Sequence, residues 1–190
     1  MTNSSEKSTS KLKDLKKLII WIIVAIIIRW QVIEPRWIPS GSMLPTLQIQ
    51  DKILVEKITT KINFKDNLFN LKDNIVVFKP PETLIKAGYD SDIALIKRVI
   101  GIPGDKIEIK DGNLYVNDVK QNRFITDKDI NYSMAPTIVP MKNLWVMGDN
   151  RNNSMDSHIW GPLPYEKIIG RAVFRYWPLN HFGPIYFPEA

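Results

Sequence analysis

The chain has 190 residues, 44% of them hydrophobic, and carries 26 Lys and Arg against 20 Asp and Glu, for a formal net charge of +6. That length allows one substantial core, or one core behind a membrane anchor, and excludes two large independent domains. With no cysteine, thiol nucleophiles, disulfides and cysteine-bound zinc or iron–sulfur sites are excluded together. The basic residues are spread through apolar segments instead of being interleaved with aromatics in one patch, which argues against a nucleic-acid surface.

Met1 to Ser10 is polar and serine-rich, and its composition predicts a disordered tail. Lys7, Lys11, Lys13, Lys16 and Lys17 outweigh Glu6 and Asp14, so half of the excess positive charge lies before residue 18. Leu18 to Ile28 is then an unbroken apolar run of 11 residues, and Trp30, Val32 and Ile33 extend it to 16 positions. This is short of the roughly 20 residues that cross a hydrocarbon core, but Lys16, Lys17 and Arg29 can snorkel and Trp21 and Trp30 suit an interface. A cleaved signal peptide, a buried core helix and an interfacial helix compete with a membrane anchor. Against cleavage, Arg29-Trp30-Gln31-Val32-Ile33-Glu34-Pro35 holds no small-x-small site. Against a core helix, the run has no polar position at helical spacing. The preferred organisation is a tail at 1–17, a transmembrane anchor at 18–33 and a domain at 34–190, with lysines placing the tail on the cytoplasmic side and the domain outside.

From Asp51 the pattern turns to strands. Residues 51–57, 74–79 and 94–100 are β-branched runs bounded by Asp, Asn, Pro or Gly. Residues 106–110 and 113–117 alternate on both sides of Asp111-Gly112, a hairpin signal. Further strands are expected at 144–147 and 171–177, and one short helical turn at Tyr165 to Ile169. The expected fold is mainly β: an N-terminal transmembrane helix, then an antiparallel β domain with a small β-hairpin extension.

Three segments carry chemistry. Pro39-Ser40-Gly41-Ser42 is a turn that can hold a hydroxyl near the surface, or an ordinary solvated turn. Lys97 lies in an apolar strand opposite in facing to Ile96 and Arg98, so that one of the two basic residues can point inward. A lysine forced into a dry site loses affinity for its proton and becomes a usable base, whereas on the solvated face it does nothing of the kind. Gly148 to Gly161 is dense in side chains that hydrogen-bond to backbone, which suits either a structural loop or the support of a buried lysine.

Together with Asp73-Asn74-Ile75-Val76-Val77-Phe78-Lys79, these segments resemble bacterial type I signal peptidase. The motifs are Ile38-Pro39-Ser40-Gly41-Ser42-Met43-Leu44-Pro45-Thr46-Leu47, Ile96-Lys97-Arg98-Val99-Ile100-Gly101-Ile102-Pro103-Gly104-Asp105 and Gly148-Asp149-Asn150-Arg151-Asn152-Asn153-Ser154-Met155-Asp156-Ser157. The wording at Glu34 to Ser40 and at Val173 to Pro178 is most like the cyanobacterial and chloroplast thylakoid branch. The resemblance implies a Ser/Lys dyad, with Ser42 attacking the scissile carbonyl and Lys97 taking its proton. It implies oxyanion donors at the Ser42 N–H and the Ser40 hydroxyl, Ser154 orienting the lysine, and Asp156 supporting the loop. It also implies cleavage after Ala-x-Ala-like sites, with Ile38, Met43, Leu47, Leu95 and Ile96 as candidates for the pocket walls, each of which can equally be core. The partners it implies are preproteins with signal peptides and the lipid bilayer; no cofactor, metal or nucleic acid is expected, and the chain is expected to be monomeric.

Two departures stand out. His158 replaces an arginine that follows the Asp-Ser pair in many members, leaving Arg151 as a substitute charge partner, and Arg36 replaces an aromatic near the pocket. Three other readings stay open: a catalytically silent membrane-tethered β domain that binds exported proteins, a repressor-type self-cleaving Ser/Lys peptidase, and a histidine triad through His158.

Overall fold

The computed structural model describes residues 3–58, 71–121 and 129–185, with the side chains of residues 3–12 and 28–30 outside that description. Helix α1 (Asn3–Gln31) leads directly into strand β1 (Ile33–Trp37). Its first turns occupy the segment expected to be a disordered tail, apart from Met1 and Thr2, which lie outside the described residues. Once the apolar run has nucleated a helix, each further turn costs little, so composition alone misjudges such a flank. Among the described residues no helix is long and apolar enough to cross a membrane. Nevertheless Leu18, Ile19, Ile20, Trp21, Ile22 and Ile23 are all about half exposed or more. Consecutive positions point in every direction around a helix, so this segment packs none of its faces on the domain.

The remaining elements are β2 (Lys52–Glu56), β3 (Ile75–Phe78), α2 (Glu82–Lys86), β4 (Leu95–Gly101), β5 (Lys106–Lys110), β6 (Asn113–Val116), β7 (Val119–Lys120), β8 (Met134–Ile138), β9 (Asn143–Met147), α3 (Ser157–Trp160), β10 (Leu163–Pro164), β11 (Ile168–Trp177) and β12 (Gly183–Pro184). A larger sheet runs in the order β1-β2-β11-β3-β4-β9-β10, with β12 also on β11, and a second runs β7-β6-β5-β8. All the strand pairs are antiparallel. The expected hairpin is present: Asp111 and Gly112 both take positive φ, 49° and 73°, as a two-residue turn twisted to match its strands requires. It is, however, two strands of a four-stranded sheet, because Val119 and Lys120 pair back on β6 and the Met134–Ile138 strand pairs on β5.

Three apolar clusters meet along β4. Ile96 joins the cluster of Ile38, Met43, Leu47, Ile53 and Val77; Val99 joins that of Val76, Phe78, Leu144 and Trp160; Ile100 joins that of Ile107, Leu114 and Trp145 under the small sheet. A strand covered on both faces has no solvated side. Lys97 and Arg98 are therefore both buried, and the expectation that only one of them points inward fails.

Candidate active site

Ser42 sits in a single 3-10 turn, Gly41–Met43, immediately after the edge strand β1. The turn is fixed from below by Met43 and Leu47, both fully buried in the cluster shared with Ile96. Each such burial contributes roughly 1.5–3 kcal/mol. These two side chains were candidates for pocket walls; the structure instead uses them as core that seats the turn. From the far side the Arg175 guanidinium donates to the Thr46 carbonyl and to Asp51 Oδ2, at 3.2 and 2.8 Å.

Lys97 reaches this turn from β4, and its Nζ donates to Ser42 Oγ at 2.7 Å. Val76 on β3 lies opposite Lys97 in the sheet. Burial pushes the Lys97 ammonium down from 10.5 to about 8, and the carboxylates of Asp156 and Asp149 only partly oppose that shift. A hydroxyl and a lysine able to shed its proton near neutral pH thus share one hydrogen bond, 55 positions apart in the chain.

The loop after β9 clamps both partners. Asn150 N–H donates to the Ser42 carbonyl and its side-chain amide donates to the Gly41 carbonyl, each at 3.0 Å. Asp149, buried, accepts two hydrogen bonds from the buried Arg98 guanidinium, at 2.8 and 2.7 Å, and one from the Thr46 hydroxyl at 2.6 Å. Arg98 is buried, and a buried guanidinium requires a carboxylate, so Asp149 has work beyond its loop that only the burial of Arg98 reveals. Asp156 caps α3, accepts the Gly148 N–H at 2.9 Å and lies 2.7 Å from His158 Nδ1. Ser157 Oγ accepts the Val146 N–H at 3.0 Å, which pins the loop to β9.

Ser154 was expected to orient the lysine. Its hydroxyl is buried but has no hydrogen-bond partner among the described residues. It lies instead against Gly148: a Cβ there would stand within 2.5 Å of the Ser42 carbonyl oxygen and closer still to the Ser154 hydroxyl. Gly148 is thus the close approach between the supporting loop and the serine turn, a role invisible in a sequence read for side chains. Gly148→Ala is expected to destabilise the domain by about 1–3 kcal/mol, as overpacking does, and to displace Ser42; a shift in the denaturation midpoint checks this.

A cleft of about 360 Å³ opens over the pair, lined by Ser40, Ser42, Leu95, Ile96, Lys97 and Met155 among others. Ile38 and Ile96 border a neighbouring hollow of about 270 Å³, which Arg36 also lines. A larger open groove of about 780 Å³, along Glu34, Arg36, Lys52 and Lys57, includes neither Ser42 nor Lys97. Arg36 is paired with Glu34. Among the described residues no group of three or more His, Asp or Glu side chains is placed to hold a metal ion.

The family described as signal peptidase, peptidase S26, matches residues 12–177. A probable thylakoidal processing peptidase 2 of Arabidopsis thaliana chloroplasts is 42% identical over 173 residues, covering 91% of this chain and 46% of that protein. Signal peptidase I of Leptolyngbya laminosa is 39% identical over 183 residues, covering 96% and 88%. Signal peptidase IB of Staphylococcus aureus strain N315 is 34% identical over 199 residues, covering 93% and 97%. The chain spans about half the length of the chloroplast relatives and most of the bacterial ones. By this match, which spans most of its length, the chain belongs to the signal peptidase family, peptidase S26.

Proposed function

We propose that the chain is a membrane-bound serine endopeptidase that removes signal peptides from exported preproteins after Ala-x-Ala-like sites. The observation that carries this reading is the buried 2.7 Å contact between Lys97 Nζ and Ser42 Oγ. With Lys97 neutral the same contact reverses, Ser42 O–H donating to Nζ, and the hydroxyl becomes a nucleophile. As Oγ attacks the scissile carbonyl, Lys97 takes the proton and returns it to the leaving amine; water then hydrolyses the acyl-enzyme by the same base. The Ser42 N–H and the exposed Ser40 hydroxyl serve as the oxyanion donors, a reading supported by both residues lining the cleft, and worth about 3 kcal/mol per donor in other serine proteases. Leu95 and Ile96 supply apolar wall in the cleft and Ile38 in the adjoining hollow, where small side chains fit.

Residues 18–33 act as a single-pass anchor, with residues 1–17 cytoplasmic and 34–190 on the extracytoplasmic face of a plasma or thylakoid membrane. The support for this is the apolar surface of α1, bare on every side from Leu18 to Ile27, which is costly in water and at ease in lipid. The chain works as a monomer and needs no cofactor. A histidine triad is less favoured, since the Ser42 hydroxyl is met by Lys97 while His158 directs Nδ1 at Asp156.

The test is cleavage of a preprotein with an Ala-x-Ala site by the detergent-solubilised chain. Ser42→Ala and Lys97→Ala are each expected to abolish it, and His158→Ala to leave it measurable. Cleavage that survives either of the first two changes removes the dyad; loss confined to the third favours the triad.

A further inference from the structure

Asp156 is fully buried, and its two oxygens face different neighbours. Oδ2 accepts the Gly148 N–H, while Oδ1 accepts the His158 backbone N–H at 3.3 Å and lies 2.7 Å from His158 Nδ1. An ionised carboxylate only accepts, so Nδ1 carries the ring proton in this contact. On its other side the His158 ring is stacked on Tyr132, with centroids 4.1 Å apart and planes at 15°. Burial and the charge of Asp156 both keep the Tyr132 hydroxyl protonated. Gly148, whose N–H Asp156 accepts, is the residue packed against the Ser42 carbonyl, so the carboxylate sits next to the dyad, and its charge acts on Lys97 and on the buried Arg151. The other carboxylate that Lys97 feels, Asp149, is already paired to Arg98 through two hydrogen bonds.

Of the two carboxylates acting on Lys97, Asp156 is therefore the one held by backbone N–H groups and a histidine side chain, where Asp149 has two hydrogen bonds from a guanidinium. We propose that His158 is a positioning residue for the reaction: by holding the Asp156 carboxylate, it sets how readily Lys97 gives up its proton. This rests on Lys97 being the base. Without the Nδ1 donor, charge on Oδ1 is no longer shared, the carboxylate attracts the lysine cation more strongly, and Lys97 keeps its proton to higher pH. A fixed cation at position 158 has the opposite sign: it offsets Asp156, and Lys97 releases its proton earlier.

The experiment compares His158→Ala, His158→Asn and His158→Arg in the full detergent-solubilised chain. One readout is the pH dependence of kcat/KM on an Ala-x-Ala preprotein. The other is the titration of Lys97 itself by NMR of 13C-labelled lysine, assigned from the signal that Lys97→Met removes. His158→Ala is expected to move the titration up by about half to one pH unit, lowering cleavage about 3–10-fold at neutral pH and little at alkaline pH. His158→Asn, whose amide N–H can stand where Nδ1–H stands, is expected to restore the wild-type titration, and His158→Arg to move it lower. A loss of activity equal at every pH with the Lys97 titration unmoved would overturn the inference. Should the alanine variant fail to fold, identical Lys97 titrations in the asparagine and arginine variants overturn it equally. If the NMR titration moves as expected while cleavage ignores it, His158 sets the Lys97 proton but not the reaction, and it is the role of Lys97 as base that is overturned.

Discussion

Lys97→Met is expected to abolish cleavage and, at the same pH, to make the folded chain more stable. On the proposed mechanism the loss follows from removing the general base, for which about 10²–10⁴-fold in rate is ordinary, and more where the nucleophile depends on it entirely. The gain follows from burial. Lys97 is 5% exposed and titrates at about 8 in the fold against 10.5 ordinarily, with desolvation the main cause and Asp156 and Asp149 opposing it. The unfolded chain thus binds this proton more tightly than the folded one. Below pH 8 both states hold it, and the fold bears the full cost of the buried charge; between about 8 and 10.5 the fold sheds the proton first and stability rises with pH; above that range the cost is gone. At 1.36 kcal/mol per pH unit the cost is on the order of 3 kcal/mol. Methionine fills a similar volume but leaves the Ser42 hydroxyl without its partner, which returns about 1–2 kcal/mol. A net gain of about 1 kcal/mol is expected at pH 7, turning into a loss above pH 10.5, measured as urea midpoints at the two pH values. A variant destabilised equally at both would show that Lys97 is not held at a cost. In the wild type, the same titration makes kcat/KM rise about tenfold per pH unit below 8 and level off above it, the profile of a base that must first lose a proton.

This opposition between stability and reactivity also explains which parts of the site could be read from the sequence. Ser42 and Lys97 are legible because each is a reactive group in a segment of definite type, a proline-flanked turn and an apolar strand. The hairpin at Asp111-Gly112 is legible because two positive φ values demand those residues. Strand β1 is hidden by Pro35, which argues against a strand; the contradiction disappears once β1 is seen to be the sheet edge, where a missing N–H costs nothing. Pro136 hides β8 in the same way, also at an edge. The burial of Arg98 is hidden because alternation assigns one face to water, and nothing local reveals that the distant loop after β9 covers it with Asp149. Ser154 and Gly148 show the limit most directly. A hydroxyl in a polar loop invites a hydrogen-bonding role, yet what the structure shows is a steric meeting of Ser154, Gly148 and the Ser42 backbone, set by tertiary approach alone.

Asp149→Ala should then be the most damaging change outside the dyad, and for two separable reasons. It strands the Arg98 guanidinium, whose Nε and one terminal nitrogen both donate to the carboxylate and whose other terminal nitrogen donates to the Asp73 carbonyl at 2.6 Å. Breaking one side of a buried ion pair costs about 3–5 kcal/mol, a large part of the 5–15 kcal/mol that holds a domain together. It also removes the acceptor of the Thr46 hydroxyl, and with it a side-chain tie between the serine turn and the strand that carries Lys97. The double variant Arg98→Met, Asp149→Leu separates the two effects. Replacing both partners of a buried pair by apolar side chains is often neutral or stabilising, so its denaturation midpoint should return to within about 1 kcal/mol of wild type. Its kcat/KM should not return, because Thr46 still lacks its acceptor and the Ser42 to Lys97 distance is no longer enforced from that side. Since a misplacement of about 1 Å can cost 10²-fold in rate, a stable but slow double variant is the expected result. Recovery of both quantities would mean that the ion pair serves the fold alone and that Met43, Leu47 and Asn150 suffice to hold the nucleophile in place.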